Sequence, residues 1–191
     1  GTIHLIATKA SKAVKFQDAN SIFAKGIIVQ AASGAQVTNH LKIKGGESHM
    51  NVGTGVFQIA SEGKVVTKGQ ELFLTADSIS LQGGIDTYDG VAMFARAFLN
   101  AAGGKLHLGC TTPGLSVGIG SNANLYALSP FHGVTYPGYA QMTIEESELQ
   151  RISTDGLIIG KKCGDIVVDG IESGHTSQIT GIVTLSTYED T

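Results

Sequence analysis

Residues 56–84, VFQIASEGKVVTKGQELFLTADSISLQGG, set short β-branched or Leu-rich pairs between Gly, Ser, Lys and Asp residues. The beat passes through Ile59, Val66, Leu74 and Leu81, and runs upstream through Ile28, Val37, Ile43 and Met50 or Val52. Three such steps span roughly 20–24 residues, the range in which a repeating sequence forms one coil of a solenoid. A solenoid stacks its coils in chain order, so position in sequence becomes position along an axis. About eight or nine coils are expected, a rod of ~40 Å at the ordinary strand spacing.

Composition supports a turn-rich all-β chain. Of 191 residues, 26 are Gly, 3 are Pro and none is Trp, with 15% charged and 42% apolar. That excludes a disordered segment and a helical bundle, which carry more charge or more Ala, Glu, Lys and Leu. The Gly residues lack the every-third-residue order of collagen. The longest apolar stretch, Val91–Leu99, is interrupted by Arg96 and falls short of a membrane span, so no membrane insertion is expected. The chain opens at Gly1 without Met, which reads as a processed or excised segment.

Net charge is −3, but its distribution is uneven. Residues 1–68 hold eight Lys against Asp18, Glu47 and Glu62, a balance of +5, which leaves −8 for residues 69–191. In a solenoid this makes one end positive and the other negative, an arrangement suited to head-to-tail stacking.

Strand patterns continue along the chain from TIHLIA at residues 2–7 to Ile182–Leu185. Double glycines at Gly45–Gly46, Gly83–Gly84 and Gly103–Gly104 are expected to supply positive φ at corners. Val91–Ala102 is either a strand buried on both faces or a short helix. Glu145–Gln150 fits one helical turn, with Thr143 and Glu146 spaced as a capping box. No linker marks a boundary, so residues 1–191 form a single domain with an aromatic loop insertion at 122–141. Residues 181–187, GIVTLST, repeat the pattern of residues 1–7, GTIHLIA, at an offset of 180.

The stretch Leu72–Gly84 resembles the coils of filamentous-haemagglutinin-like repeats, in which a Leu-x-Leu strand, Thr-Ala and an Ile-x-Leu strand follow one another. Met142–Ile171, MTIEESELQRISTDGLIIGKKCGDIVVDGI, is similar to a unit recurring in very large, repetitive surface proteins of bacteria and protists. The resemblance implies a right-handed parallel β-helix (β-solenoid), a secreted or surface-attached location and an extended structural role. It implies no catalytic residues. The chain departs from the pattern at Asn122–Gln141, where a loop replaces a short connection.

Candidate contact residues sit in that loop and at the ends. Tyr126, Phe131, Tyr136 and Tyr139 offer large contact area at low entropic cost, for a lateral subunit or another partner; the alternative is a loop that buries its own rings. Cys110 and Cys163 each follow a strand end, which leaves open a disulfide, two separate thiols or a bridge between subunits. The histidines His4, His40, His49, His107, His132 and His175 show no metal-ligand spacing, and His4 and His107 are expected to face solvent. Asp165 and Asp169 flank the strand Ile166–Val168, and Asp86 and Asp89 share a turn, but Arg96 and Arg151 are the only arginines in the chain and the sequence shows no inter-coil constellation with them. No phosphate loop, nucleophile elbow or dinucleotide fingerprint is present. No metal or other cofactor, no enzymatic activity and no nucleic acid partner are expected.

The expected function is structural: a unit of an extracellular filament or giant surface protein, pairing its last coil with the first coil of the next copy. Ile3, Leu5, Val183 and Leu185 are the expected joint. The alternative is an adhesin-type module that binds carbohydrate or another surface protein through the 122–141 loop.

Overall fold

A computed structural model of the chain describes residues 1–82, 84–86, 103–121 and 142–187. It is a parallel β-solenoid of about six turns. The first four turns contribute three strands each. They are β1 (Ile3–Ala7), β2 (Val14–Phe16) and β3 (Ser21–Phe23), then β4 (Ile27–Ala31), β5 (Ala35–Val37) and β6 (His40–Ile43). Next come β7 (Ser48–Asn51), β8 (Val56–Ile59) and β9 (Lys64–Val66), then β10 (Leu72–Thr75), β11 (Ser78–Leu81) and β12 (Gly84–Asp86). The upper part holds β13 (Lys105–Gly109), β14 (Leu115–Ile119), β15 (Met142–Ile144), helix α1 (Glu146–Leu149), β16 (Ile152–Ser153), β17 (Gly156–Lys161), β18 (Cys163–Val168) and β19 (Val183–Leu185). The strands stack into one long sheet, β1-β4-β7-β10-β13-β17-β19, and three shorter ones: β2-β5-β8-β11, β3-β6-β9-β12-β16 and β15-β14-β18.

Register gives the length of each turn. Ile3 lies opposite Ile27, Ile28 opposite His49 and Ser48 opposite Leu72, steps that keep to the period read from the sequence. After that the steps lengthen: Leu72 lies opposite Leu106, and Leu106 opposite Leu157, a step more than double the early ones. The last, from Leu157 to Val183, is short again. The expected eight or nine coils are therefore corrected to about six. The fourth and fifth turns spend chain on segments that add no rung to the long sheet among the described residues. Val91–Ala102, with Arg96, lies outside the described residues, as do Gly83, Asp89 and the whole 122–141 insertion.

The core consists of straight columns. On the long sheet, one inward column is Ile3, Ile27, Ser48, Leu72, Leu106, Leu157 and Val183, and its neighbour is Leu5, Val29, Met50, Leu74, Leu108, Ile159 and Leu185. Between the first and last rungs these residues are closed to solvent. Ser48 stands in an apolar column because its Oγ accepts the Ile27 N–H at 3.2 Å, which keeps the hydroxyl satisfied. Two expected anchors are shifted by one position. Ile28 points outward between buried Ile27 and Val29, and Val66 points outward beside buried Val65. A continuous apolar run hides which parity faces in, and a slip of one exchanges the faces.

The double glycines also act differently from expectation. Gly46 has φ +79°, but Gly104 is needed for closeness: a Cβ there would strike the backbone of Gln70 on the rung below. Gly34 does both jobs, with φ +114° and a would-be Cβ 2.7 Å from the Val56 carbonyl oxygen.

Chain order and stacking order part company at one place. β14 precedes β15, yet β15 lies on the side of β14 toward β11 while β18 pairs on its other side. The chain therefore steps past a vacant rung position and returns to fill it. Instead of the expected box from Thr143 and Glu146, the helical turn begins at Glu145, whose N–H is accepted by Glu148 Oε2 at 3.0 Å. The other oxygen, Oε1, accepts the Leu81 N–H at 2.7 Å, and Arg151 Nη1 donates to the Leu81 carbonyl at 2.7 Å. Leu81 ends β11 with its own N–H and C=O turned away from β8, while the next N–H, that of Gln82, still donates to Ile59 on β8. A carboxylate and a guanidinium thus stand where a neighbouring strand would stand.

Candidate assembly surface at the two ends

Both ends of the long sheet are strand edges among the described residues: β1 at one end and β19 at the other. The expected joint residues lie on these two strands. Ile3 is 47% exposed, whereas Ile27 directly above it is fully buried. Val183 and Leu185 are each 43% exposed, whereas Leu157 and Ile159 beneath them are at most 1% exposed. Leu5 is half-buried and packs on the core. The side chains are the same kind in the same columns; what differs is that, among the described residues, no rung stacks beyond Ile3 or beyond Val183 and Leu185.

The neighbouring sheets repeat this profile only in part, through residues that carry no terminal strand pattern: Val168 is half-exposed and Val14 partly buried, but Phe16 is buried. β2 is the edge at the first rung, where Val14 and Phe16 stand in line with buried Ala35 and Val37. β18 is the edge at the last rung, where Val168 is 48% exposed above buried Ile119 and Ile144. Ile166 beside it packs on the core from that edge. Matching the strand patterns of the two termini finds β1 and β19, but β18 lies well short of the terminal strand and reads as interior.

The other sequence-nominated residues fall elsewhere. Tyr126, Phe131, Tyr136, Tyr139 and His132 lie outside the described residues. Cys110 and Cys163 form a disulfide with Cα atoms 5.1 Å apart, tying the turn after β13 to the start of β18. Asp165 lies within β18 rather than beside it, at a bulge where the register against β14 shifts. The N–H groups of Thr111 and Thr112 are held by Asp77, which links a turn to the rung below.

Of the histidines expected to face solvent, His4 is exposed and His107 points outward but is partly covered. His107 stacks on Phe73 with ring centroids 4.2 Å apart, and Phe73 stacks on His49 at 4.6 Å, so three rungs share one ladder on the outer face. Burial in that ladder lowers the His107 pKa below 6.5, opposed by the Glu71 carboxylate 3.4 Å from its Nε2. For Glu148 burial raises the pKa above 4.5, opposed by the N–H groups of Leu81 and Glu145.

One cluster combines residue types used in hydrolysis. Ser121 Oγ donates to Glu146 Oε2, and His175 Nε2 lies 3.6 Å from the same oxygen. The carboxylate stands between serine and histidine, and His175 Nδ1 accepts the Glu172 N–H. That order gives the hydroxyl no imidazole base; it fastens the end of β14, the start of α1 and the 171–180 segment to one another. Among the described residues no group of three or more His, Cys, Asp or Glu is placed to hold a metal ion. Among them, too, no helix is long and apolar enough to cross a membrane. Compared with family models, curated proteins and solved structures, the chain matches none, and its parallel β-solenoid stands on its own geometry.

Proposed function

We propose that the chain is a structural unit of an extended, extracellular or cell-surface β-solenoid assembly, of the kind built from filamentous-haemagglutinin-like repeats. Units join by edge completion: the last rung of one copy hydrogen-bonds to the first rung of the next, and the apolar columns run on across the joint. The observation that carries this is the exposure profile, open at Ile3 and again at Val183 and Leu185 and closed at every rung between. A heterologous contact of this sort does not close on itself, so it propagates.

Magnitudes show what the joint needs. Covering Ile3, Val183 and Leu185, each just under half exposed, returns roughly 1 kcal/mol apiece. Each new strand hydrogen bond adds about 1 kcal/mol. Association costs ~4–15 kcal/mol in lost freedom, so the long sheet alone gives a weak, concentration-dependent joint. Electron microscopy of the chain at rising concentration tests the proposal. The unmodified protein elongates, while Val183→Lys or Ile3→Lys stays short with its β-type circular dichroism unchanged, because both sites are already half open to water. Undiminished elongation by both variants would remove the joint from these strands.

A further inference from the structure

Resting on that assembly reading, we infer that the joint has a single polarity and register, set by two sheets together and by a charge pair. In the long sheet Ile3 and Leu5 begin the same columns that Val183 and Leu185 end. A second copy continues both columns only when its Ile3 stands over Val183 and its Leu5 over Leu185. That pairing has the same offset at which residues 181–187 repeat the pattern of residues 1–7. A slip by one position would turn both apolar pairs to solvent.

The second contact brings edge strand β2 of the incoming copy onto edge strand β18. Partly buried Val14 and buried Phe16 then meet partly buried Ile166 and half-exposed Val168, which continue the core at the two edges of the flanking sheets. Between Val14 and Phe16 stands exposed Lys15, and next to Ile166 stands exposed Asp165. A charge and a bulge on an edge strand deter pairing with an arbitrary strand. Here they admit a partner whose edge carries a cation. The wider faces agree: the first rung bears Lys9, Lys12, Lys15 and Lys25 against Asp18, and the last bears Asp155, Asp165, Asp169 and Glu172 against Lys161 and Lys162. Two first rungs, or two last rungs, would set like charges together. The partner is a second copy of this chain, tail to head.

Paired cysteine variants read the register under mild oxidation. The chain carrying His4→Cys and Thr184→Cys, whose positions are stacked on the outer face, forms a ladder of cross-linked multimers. The chain carrying Ile6→Cys and Thr184→Cys, whose positions are out of register, does not. Charge reversal reads the second contact: Lys15→Glu or Asp165→Lys alone raises the concentration needed for elongation tenfold or more, and the chain carrying both returns most of the loss. Filaments that cross-link through Ile6→Cys instead, or a double reversal as defective as the worse single one, would overturn the register or the charge pair while leaving assembly standing. A chain that neither elongates nor cross-links in either cysteine pair would remove end-to-end pairing itself.

Discussion

Leu74 and Leu185 occupy one column, two positions with one chemistry that differ only in rung. Leu74→Ala opens a cavity inside the stack and should cost about 2–5 kcal/mol in chemical denaturation. Leu185→Ala, at the open end, should cost the dilute monomer under about 1.5 kcal/mol, since nearly half of its surface is already in water. Equal costs would mean that the last rung is covered. Gly34→Ala should destabilise by more than ~1 kcal/mol, because φ is +114° and the Val56 carbonyl fills the space a Cβ needs. His107 gives a pH signature of definite sign. Its folded pKa lies below 6.5, so the stability it contributes is present above pH 6.5 and is lost as pH falls through the lowered value. Urea midpoints at pH 7.5 and pH 5 should show an acid loss that shrinks in His107→Phe. Glu148 has the opposite sign: with its folded pKa raised, its contribution is present below pH 4.5 and declines as pH rises through the raised value. At this scale most inward anchors were legible as β-branched or Leu positions. Ile28 and Val66 were not, since each adjoins another apolar residue and alternation cannot tell the pair apart.

Among elements, the strands of the first four turns follow from alternation and turn residues, and their register steps fall within or at the edge of the expected period. The placement of β15 does not follow. Its sequence, MTI, suits a rung equally well above or below β14, and only long-range packing decides between them. The decision is marked by Glu148 and Arg151, which complete the hydrogen bonds of Leu81 in place of a strand. Glu148→Ala leaves the Leu81 and Glu145 N–H groups without their acceptor and should cost about 1–3 kcal/mol for each that stays buried and unpaired. Hydrogen exchange should quicken at Leu81 while the amides of β4 and β7 stay protected. The disulfide braces the same region from above. It closes a sequence separation of 53, so its removal by Cys110→Ala with Cys163→Ala should cost about 4 kcal/mol by loop entropy, read as a lower denaturation midpoint.

On the scale of the whole molecule, the solenoid class was legible because a repeating beat allows few other folds. The coil count was not, because counting assumed equal turns, and the turns that open at β10 and β13 run far longer than those before them. The terminal strands were legible from their mutual likeness, and the edge role of β2 and β18 was not, since it depends on which strands happen to lie last in a sheet. Among the described residues the two inward columns of the long sheet are buried between its first and last rungs and half-exposed at Ile3, Val183 and Leu185. The sequence is positive over residues 1–68 and negative over 69–191. Such a solenoid should join copies more readily at low salt, because exposed charges steer the approach and salt screens them over ~10 Å at 0.1 M.

Sedimentation velocity of the unmodified chain, followed from low micromolar to millimolar concentration, addresses the half-exposed end rungs most directly. The expected result is a series of species at whole-number multiples of 19.8 kDa, with frictional ratios that rise with length as stacked rods require. A single 19.8 kDa species across that whole range, at low and at moderate salt, would contradict it.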